Sequence, residues 1–168
     1  MDLILRNESD ADVQAIDEIV REAFRPLAHS SHTEEFIIRA LRRSKALSIS
    51  LVAEMDSRLV GHGAFSPVQI SDGSSRWFGL GPLAVSPEFQ RQGVGQALVR
   101  RGLEILRDSK ASGCVVFGDP AYYRRFGFRK NPGIIFEGAP ANLFLALKFT
   151  DSPARGKVAY HEAFNATG

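Results

Sequence analysis

Apolar positions along the chain change period several times, and each change marks a boundary between elements. Leu3 to Arg6 is a short apolar stretch that predicts a strand. Behind a Ser9/Asp10 cap, Val13, Ile16, Ile19, Val20, Ala23 and Phe24 recur at the spacing of one helix face. Pro26 to His32 predicts a loop, and Ser31 with Glu34 three residues later has the form of a capping box that opens a second short helix through about Leu41. The period then drops to two. Leu47, Ile49 and Leu51 alternate with Ser48 and Ser50, predicting a half-buried strand that ends near Glu54, and Asp56-Ser57 turns the chain into a second strand from Leu59 to Val68. After a turn at Ser71 to Ser75, Trp77 to Val85 predicts a third strand of the meander. Gly79, Gly81 and Pro82 interrupt it, so it is not an ordinary central strand.

The longest helical pattern runs from Val94 to about Arg107. Val94, Leu98, Gly102 and Ile105 fall on one side with Val99 and Leu106 adjoining, and Arg100, Arg101, Glu104, Arg107 and Asp108 face away, as expected of a helix lying on a sheet. Gly113 ends that turn, Cys114 to Phe117 is an all-apolar strand, and Pro120 to Phe126 is a short helix closed by Gly127. Further strand pattern starts at Phe128, at Ile134 to Glu137 and at Leu143 to Phe149. Strand, helix, strand and helix in this order predict an α/β fold with a mixed sheet and a βαβ crossover.

Composition narrows the setting. With 168 residues, 44% apolar and 24% charged, the chain predicts one soluble domain over 1–168, with a core from about 3 to 149 and a C-terminal extension over 150–168. The single cysteine, Cys114, excludes an intrachain disulfide and a thiolate zinc cluster, so no metal is expected. No apolar run approaches the roughly 20 residues that span a bilayer. The start, Met1-Asp2-Leu3-Ile4-Leu5-Arg6, lacks the order of a secretion signal, and a cytoplasmic setting is expected. A net charge of +2 with interspersed signs argues against nucleic acid as a partner. Any anion is gripped locally.

Such a grip is readable in Leu83 to Leu98, where a strand passes into the long helix through Gln90-Arg91-Gln92-Gly93-Val94-Gly95. A helix start presents unpaired N–H groups and partial positive charge, and glycine lets the backbone approach an anion closely. The stretch lacks the Gly-Lys-Ser/Thr of a nucleotide P-loop, and Leu98 stands where the dinucleotide fingerprint needs its third glycine.

These residues resemble the acetyl-CoA loop of the GNAT superfamily of N-acetyltransferases, Gln/Arg-x-x-Gly-x-Gly/Ala. A second match lies downstream, where Tyr123-Arg124-Arg125-Phe126-Gly127-Phe128 is similar to the family's Tyr-x-x-x-Gly-Phe segment. The element order from Leu3 to about Lys148 agrees with the family, and Gly118 to Tyr123 with Gly156 to Tyr160 resembles its small bacterial YhbS-like branch. The resemblance implies a single-domain GNAT-like fold, with a mostly antiparallel mixed sheet splayed between the third meander strand and the following parallel strand and flanked by helices. It implies acetyl-CoA as co-substrate. The main-chain groups of Leu83 and Val85 would pair with pantetheine, and the Val85 N–H would meet the thioester carbonyl. The amides of Arg91, Gln92, Gly93, Val94, Gly95 and Gln96 would hold the pyrophosphate. Tyr123 would donate a proton to the departing thiolate, or its hydroxyl would only orient the coenzyme. Tyr122 is expected in the core.

The implied activity is transfer of an acetyl group to a primary amine of a small molecule or peptide by direct attack on the thioester. Some members carry a glutamate on the bulged strand, but Trp77 to Leu83 includes no titratable group. The base is therefore open among Glu54, His62, Asp119 and water, with Asp119 most simply read as capping the short helix. That gap motivates a second reading, a CoA-binding regulatory module with weak turnover. His29, His32 and His161 are too scattered to suggest a metal, and Trp77 and Cys114 read as core. Specificity is expected from the first two helices, the loop over 26–33 and the last strands. The segment after Phe149 is left with two roles, finishing that wall or pairing two copies as a homodimer.

Overall fold

The architecture was obtained as a computed structural model, which describes residues 2–151 and 153–168; Met1 and Ser152, at the start and within the extension, lie outside them. A twisted sheet runs in the order β1-β2-β3-β4-β5-β7. Its strands are β1 (Leu3–Asn7), β2 (Ile49–Met55), β3 (Arg58–Ile70), β4 (Trp77–Val85), β5 (Gly113–Phe117) and β7 (Phe144–Lys148). Helices α1 (Val13–Phe24) and α2 (Glu34–Arg43) cover one face and α3 (Val94–Asp108) the other. A four-residue helix, α4 (Pro120–Tyr123), follows β5. All pairs along this path are antiparallel except β4 with β5, so the sheet is mixed and mostly antiparallel, as the sequence implied.

Helix α3 buries Val94, Leu98, Val99, Gly102, Leu103 and Leu106 and leaves Ile105 half-buried. Each fully buried leucine contributes about 2 kcal/mol. Gly102 is needed for the close approach, because a β-carbon there would run into the Phe65 ring of β3. The opposite face is built from Ile16, Ile19 and Val20 of α1, Ile38 of α2, Val52 of β2 and Ala84 of β4.

Several expectations need correction. The helix α2 starts with Thr33 at its cap, and it is Ser30, not Ser31, whose hydroxyl reaches the Glu34 carboxylate, at 2.7 and 2.8 Å. At the start of α1 the reciprocal partner of Ser9 is Asp12, which accepts from the Ser9 N–H at 2.7 Å. The pattern after Phe128 yields only a bridge between Arg129 and Ala146, and β6 is limited to Ile134–Ile135, since Pro132 and Gly133 hold this stretch in turns.

The extension, whose elements the sequence left open, contains β8 (Gly156–Tyr160). It runs antiparallel to the far end of β3, with Val68 opposite Tyr160, and parallel to β6. The long β3 outruns β2 here, so its free edge accepts a distant segment. Trp77, Val115 and Phe144 are buried beneath this addition. The extension therefore adds a strand to the sheet.

Candidate active site

The gap in the sheet follows from register. β4 and β5 pair from Trp77 with Gly113 through Leu80 with Val116, and no further. Between Phe65–Leu80 and Gly63–Leu83 the register of β3 against β4 shifts, so Gly81 and Pro82 together stand against the one residue Ala64 and the strand is bulged. Gly81 has φ +135°, in the region that glycine tolerates. Beyond the bulge, the Ser86 N–H donates to the Val60 carbonyl at 2.8 Å. Antiparallel pairs alternate between hydrogen-bonded and open, so Leu83 opposite Gly63 and Val85 opposite Gly61 turn their N–H and C=O groups away from β3. They face the side that β5 has left.

That edge leads into the start of α3. Gly93 caps the helix at φ +88° and Arg91 sits at φ +62°, so two residues near one another adopt the left-handed region. The first bond of the helix is from the Ala97 N–H to the Gly93 carbonyl at 3.0 Å, which leaves the N–H groups of Gly93, Val94, Gly95 and Gln96 without an acceptor inside the helix. The loop is braced by its own side chains: the Gln90 amide donates to the Val85 carbonyl and the Gln92 amide to the Glu88 carbonyl, each at 3.0 Å. Gln92 thus shapes the loop with its side chain, a role its N–H alone did not suggest. The Val85 carbonyl is engaged by Gln90, while its N–H remains on the open edge.

A cleft of about 320 Å³ lies over this mouth, lined among others by Val85, Arg91, Gly93, Gly95 and Tyr122. Tyr122, expected in the core, is half-buried and belongs to the cleft. A β-carbon on Gly95 would stand 2.8 Å from the Tyr122 hydroxyl. Gly93 meets nothing within 4 Å and is fixed instead by its φ. The glycines are thus demanded for two different reasons.

A second cavity of about 690 Å³ opens on the α1/α2 side of the bulge, and Tyr123 lines it. Leu83 lines both cavities, but Val85 lines only the first and Tyr123 only the second. Val85, expected at the thioester carbonyl, and Tyr123, expected at the departing thiolate, thus line different cavities joined at Leu83. The Tyr123 ring packs edge-on to Tyr122 at 5.0 Å and to Phe128 at 5.9 Å, and it lies so close to Gly118 that a β-carbon there would be 2.5 Å from it. Burial pushes its hydroxyl well above the ordinary tyrosine range, so it keeps its proton.

None of the three side chains considered as base lines this cavity. Glu54 is bonded to Arg6 at 2.8 Å. Asp119 caps α4, accepting from the Ala121 N–H at 3.0 Å. His62 is fully buried under α1 and α2, with Nε2 2.7 Å from the Ser50 hydroxyl, and burial lowers its pKa. Two residues that the sequence did not bring forward do line it, Glu34 at the first turn of α2 and His161 just after β8. Their signal was the expectation that the first two helices and last strands set specificity. Trp77 and Cys114 are core, 1% and 0% exposed. Among the described residues no group of three His, Cys, Asp or Glu side chains could hold a metal ion, and no helix is long and apolar enough to cross a membrane.

Comparison with known proteins agrees with this geometry. The model of the acetyltransferase (GNAT) family matches residues 13–128. The chain is 32% identical over 176 aligned residues to the N-acetyltransferase YhbS of Escherichia coli, covering 97% of this chain and 99% of that protein. A crystal structure of a GNAT family acetyltransferase from Brucella melitensis, in complex with acetyl-CoA, superimposes with a TM-score of 0.87 at 44% identity, covering 97% of this chain and 98% of that one. The structure of Escherichia coli YhbS in complex with CoA gives 0.88 at 32% identity over 99% and 93%.

Proposed function

Since the chain belongs to the GNAT family of acetyltransferases, we propose that it transfers the acetyl group of acetyl-CoA to a primary amine by direct attack on the thioester. One observation carries the reading. The open edge of β4, with the N–H and C=O of Leu83 and the N–H of Val85, leads from the open amides of α3 to the cavity of Tyr123.

The fit to the coenzyme is chemical. The N–H groups of Gly93, Val94, Gly95 and Gln96, with the turn at Arg91 and Gln92, suit a pyrophosphate, because the helix end adds partial positive charge. Gly95 and the Tyr122 hydroxyl form a cradle that a side chain would fill. The pantetheine amides have the free edge of Val85 and Leu83 to pair with, as an added strand would. Leu83 borders the Tyr123 cavity, and we assign the donor to the thioester carbonyl to its N–H in place of that of Val85. A preorganised donor at a developing oxyanion is worth about 3 to 4 kcal/mol.

In the reaction the acceptor, arriving as an ammonium ion, first gives a proton to water; its lone pair then forms the C–N bond, the C–S bond breaks, and the electron pair of that bond stays on sulfur. The sulfur receives a proton from the Tyr123 hydroxyl, and the nitrogen sheds one to the Glu34 carboxylate, so the protons balance once the two side chains exchange with water. Burial keeps the Tyr123 hydroxyl protonated, so it holds a proton to give when the thiolate departs.

The test is release of free CoA thiol from acetyl-CoA across a panel of amines, with thermal melting to follow coenzyme binding. Release with at least one amine, and a raised melting temperature with acetyl-CoA, is expected. A raised melting temperature without release from any amine would overturn the catalytic reading.

A further inference from the structure

We propose that the acceptor is a monoamine carried on a flat aromatic or bulky apolar body, seated in the ring-walled cavity with its nitrogen toward Glu34. The proposal rests on the acetyltransferase reading and names the substrate class of that site. Its basis is the wall. Phe117 ends β5, Phe136 follows β6, Tyr160 ends β8 and Phe164 lies in the turn after it, and all four line the 690 Å³ cavity. They lock into one another. Phe117 meets Phe136 at 6.5 Å and 74°, Phe136 meets Tyr160 at 5.0 Å and 64°, and Tyr160 meets Phe164 at 5.0 Å and 53°. Rings held at such angles form a rigid apolar surface, and an aromatic guest extends the same packing.

Tyr160 is held there by the strand beneath it. A β-carbon on Gly79 would stand 2.5 Å from its ring, so the absence of a side chain on β4 lets β8 bring this ring to the cavity.

Charge sets the second half of the specificity. Glu34 is the one carboxylate among the described residues that line the cavity. Ser30 holds it in place by donating to its oxygens. One carboxylate in an apolar surround meets one ammonium group; a polyamine or an aminoglycoside would bring further charges into a ring-lined wall, where an unpaired charge is costly. Ser31, His161 and Asn165 supply hydrogen-bonding groups beside it. The His161 Nδ1 accepts from the Ala163 N–H at 3.0 Å, so the neutral ring carries its proton on Nε2, a donor for an oxygen on the guest.

The experiment uses the full chain with acetyl-CoA and reads thiol release with 2-phenylethylamine, tryptamine, spermidine, kanamycin and an alanyl peptide. The expected kcat/KM for the two aromatic amines exceeds that for the other three by roughly tenfold or more. Phe164→Ala, and independently Phe136→Ala, should raise KM for 2-phenylethylamine roughly tenfold while leaving KM for acetyl-CoA within about twofold. Glu34→Gln should weaken every amine, with partial recovery in Glu34→Asp. Spermidine, kanamycin or the peptide matching the aromatic amines overturns the proposal. If no amine releases thiol although acetyl-CoA still raises the melting temperature, transfer itself has failed, and calorimetric titration of 2-phenylethylamine into the CoA complex decides the pocket. A dissociation constant below about 1 mM that weakens in Phe164→Ala upholds it, and no heat of binding overturns it.

Discussion

Leu80 and Val116 are the last residues through which β4 and β5 pair, and the bulge at Gly81 and Pro82 begins on the next residue. A strand that loses its neighbour inside a sheet leaves hydrogen-bonding groups that something must satisfy. The outward-facing groups at Leu83 and Val85 therefore define a slot for an extended, amide-bearing chain. At one end of the slot lie the α3 amides, at the other Tyr123.

Replacing Gly93 tests the first end. At φ +88°, any side chain is strained by about 1 to 2 kcal/mol. Gly93→Glu adds a negative charge beside the proposed pyrophosphate. We expect acetyl-CoA affinity by calorimetry to fall at least about a hundredfold, or roughly 3 kcal/mol, with Gly93→Ala intermediate. Unchanged affinity in Gly93→Glu would place the pyrophosphate elsewhere.

Gly95 and Tyr122 form a steric pair. Gly95→Ala should weaken acetyl-CoA binding because its β-carbon would press on the Tyr122 hydroxyl at 2.8 Å. Tyr122→Phe removes that oxygen, so the double variant should recover part of the loss, a coupling of about 1 kcal/mol in a double-mutant cycle. Strict additivity would show that Gly95 serves the ligand and not the tyrosine.

Tyr123→Phe keeps the ring that packs on Phe128 and removes the proton. Turnover should fall by about 10²-fold with KM for acetyl-CoA little changed. A variant with wild-type kcat would reduce the residue to a wall of the cavity.

Acid stability should report the network under α1 and α2. Arg42 donates to Glu8 at 2.7 and 3.0 Å, Ser50 donates to Glu8, and His62 stands 3.8 Å away. Burial opposes ionisation of Glu8, but His62, Arg42 and Ser50 outweigh it and bring its carboxyl from 4.5 to about 2. A folded value below the unfolded one means the stabilisation is whole above about 4.5 and is lost as pH falls toward 2, up to about 3 kcal/mol. His62, lowered from 6.5 by burial despite the opposing pull of Glu8, adds a loss of the same sign below about 6.5. Urea unfolding between pH 7 and pH 3 should show this decline, shallower in Glu8→Gln; equal slopes would remove Glu8 from the account.

What the sequence determined by itself was local. The periods of two and 3.6, the turn residues and the Gly93–Gly95 loop needed only neighbours along the chain to be read, because propensity, capping and helix-end charge act within a few residues. Tyr123 came forward only through the resemblance of residues 123–128 to the family's Tyr-x-x-x-Gly-Phe segment. Tertiary structure decided what depends on distant segments meeting. β8 has little strand signature of its own and exists because β3 overhangs its partner, and only then do Tyr160 and His161 reach the face that Glu34 borders. Tyr122 and Tyr123 are adjacent in sequence yet line different cavities, since consecutive residues on a helix point about 100° apart and here the cleft passes between them. Burial made the remaining choice, drawing His62 into the core and leaving the cavity wall to residues whose convergence no local pattern encodes.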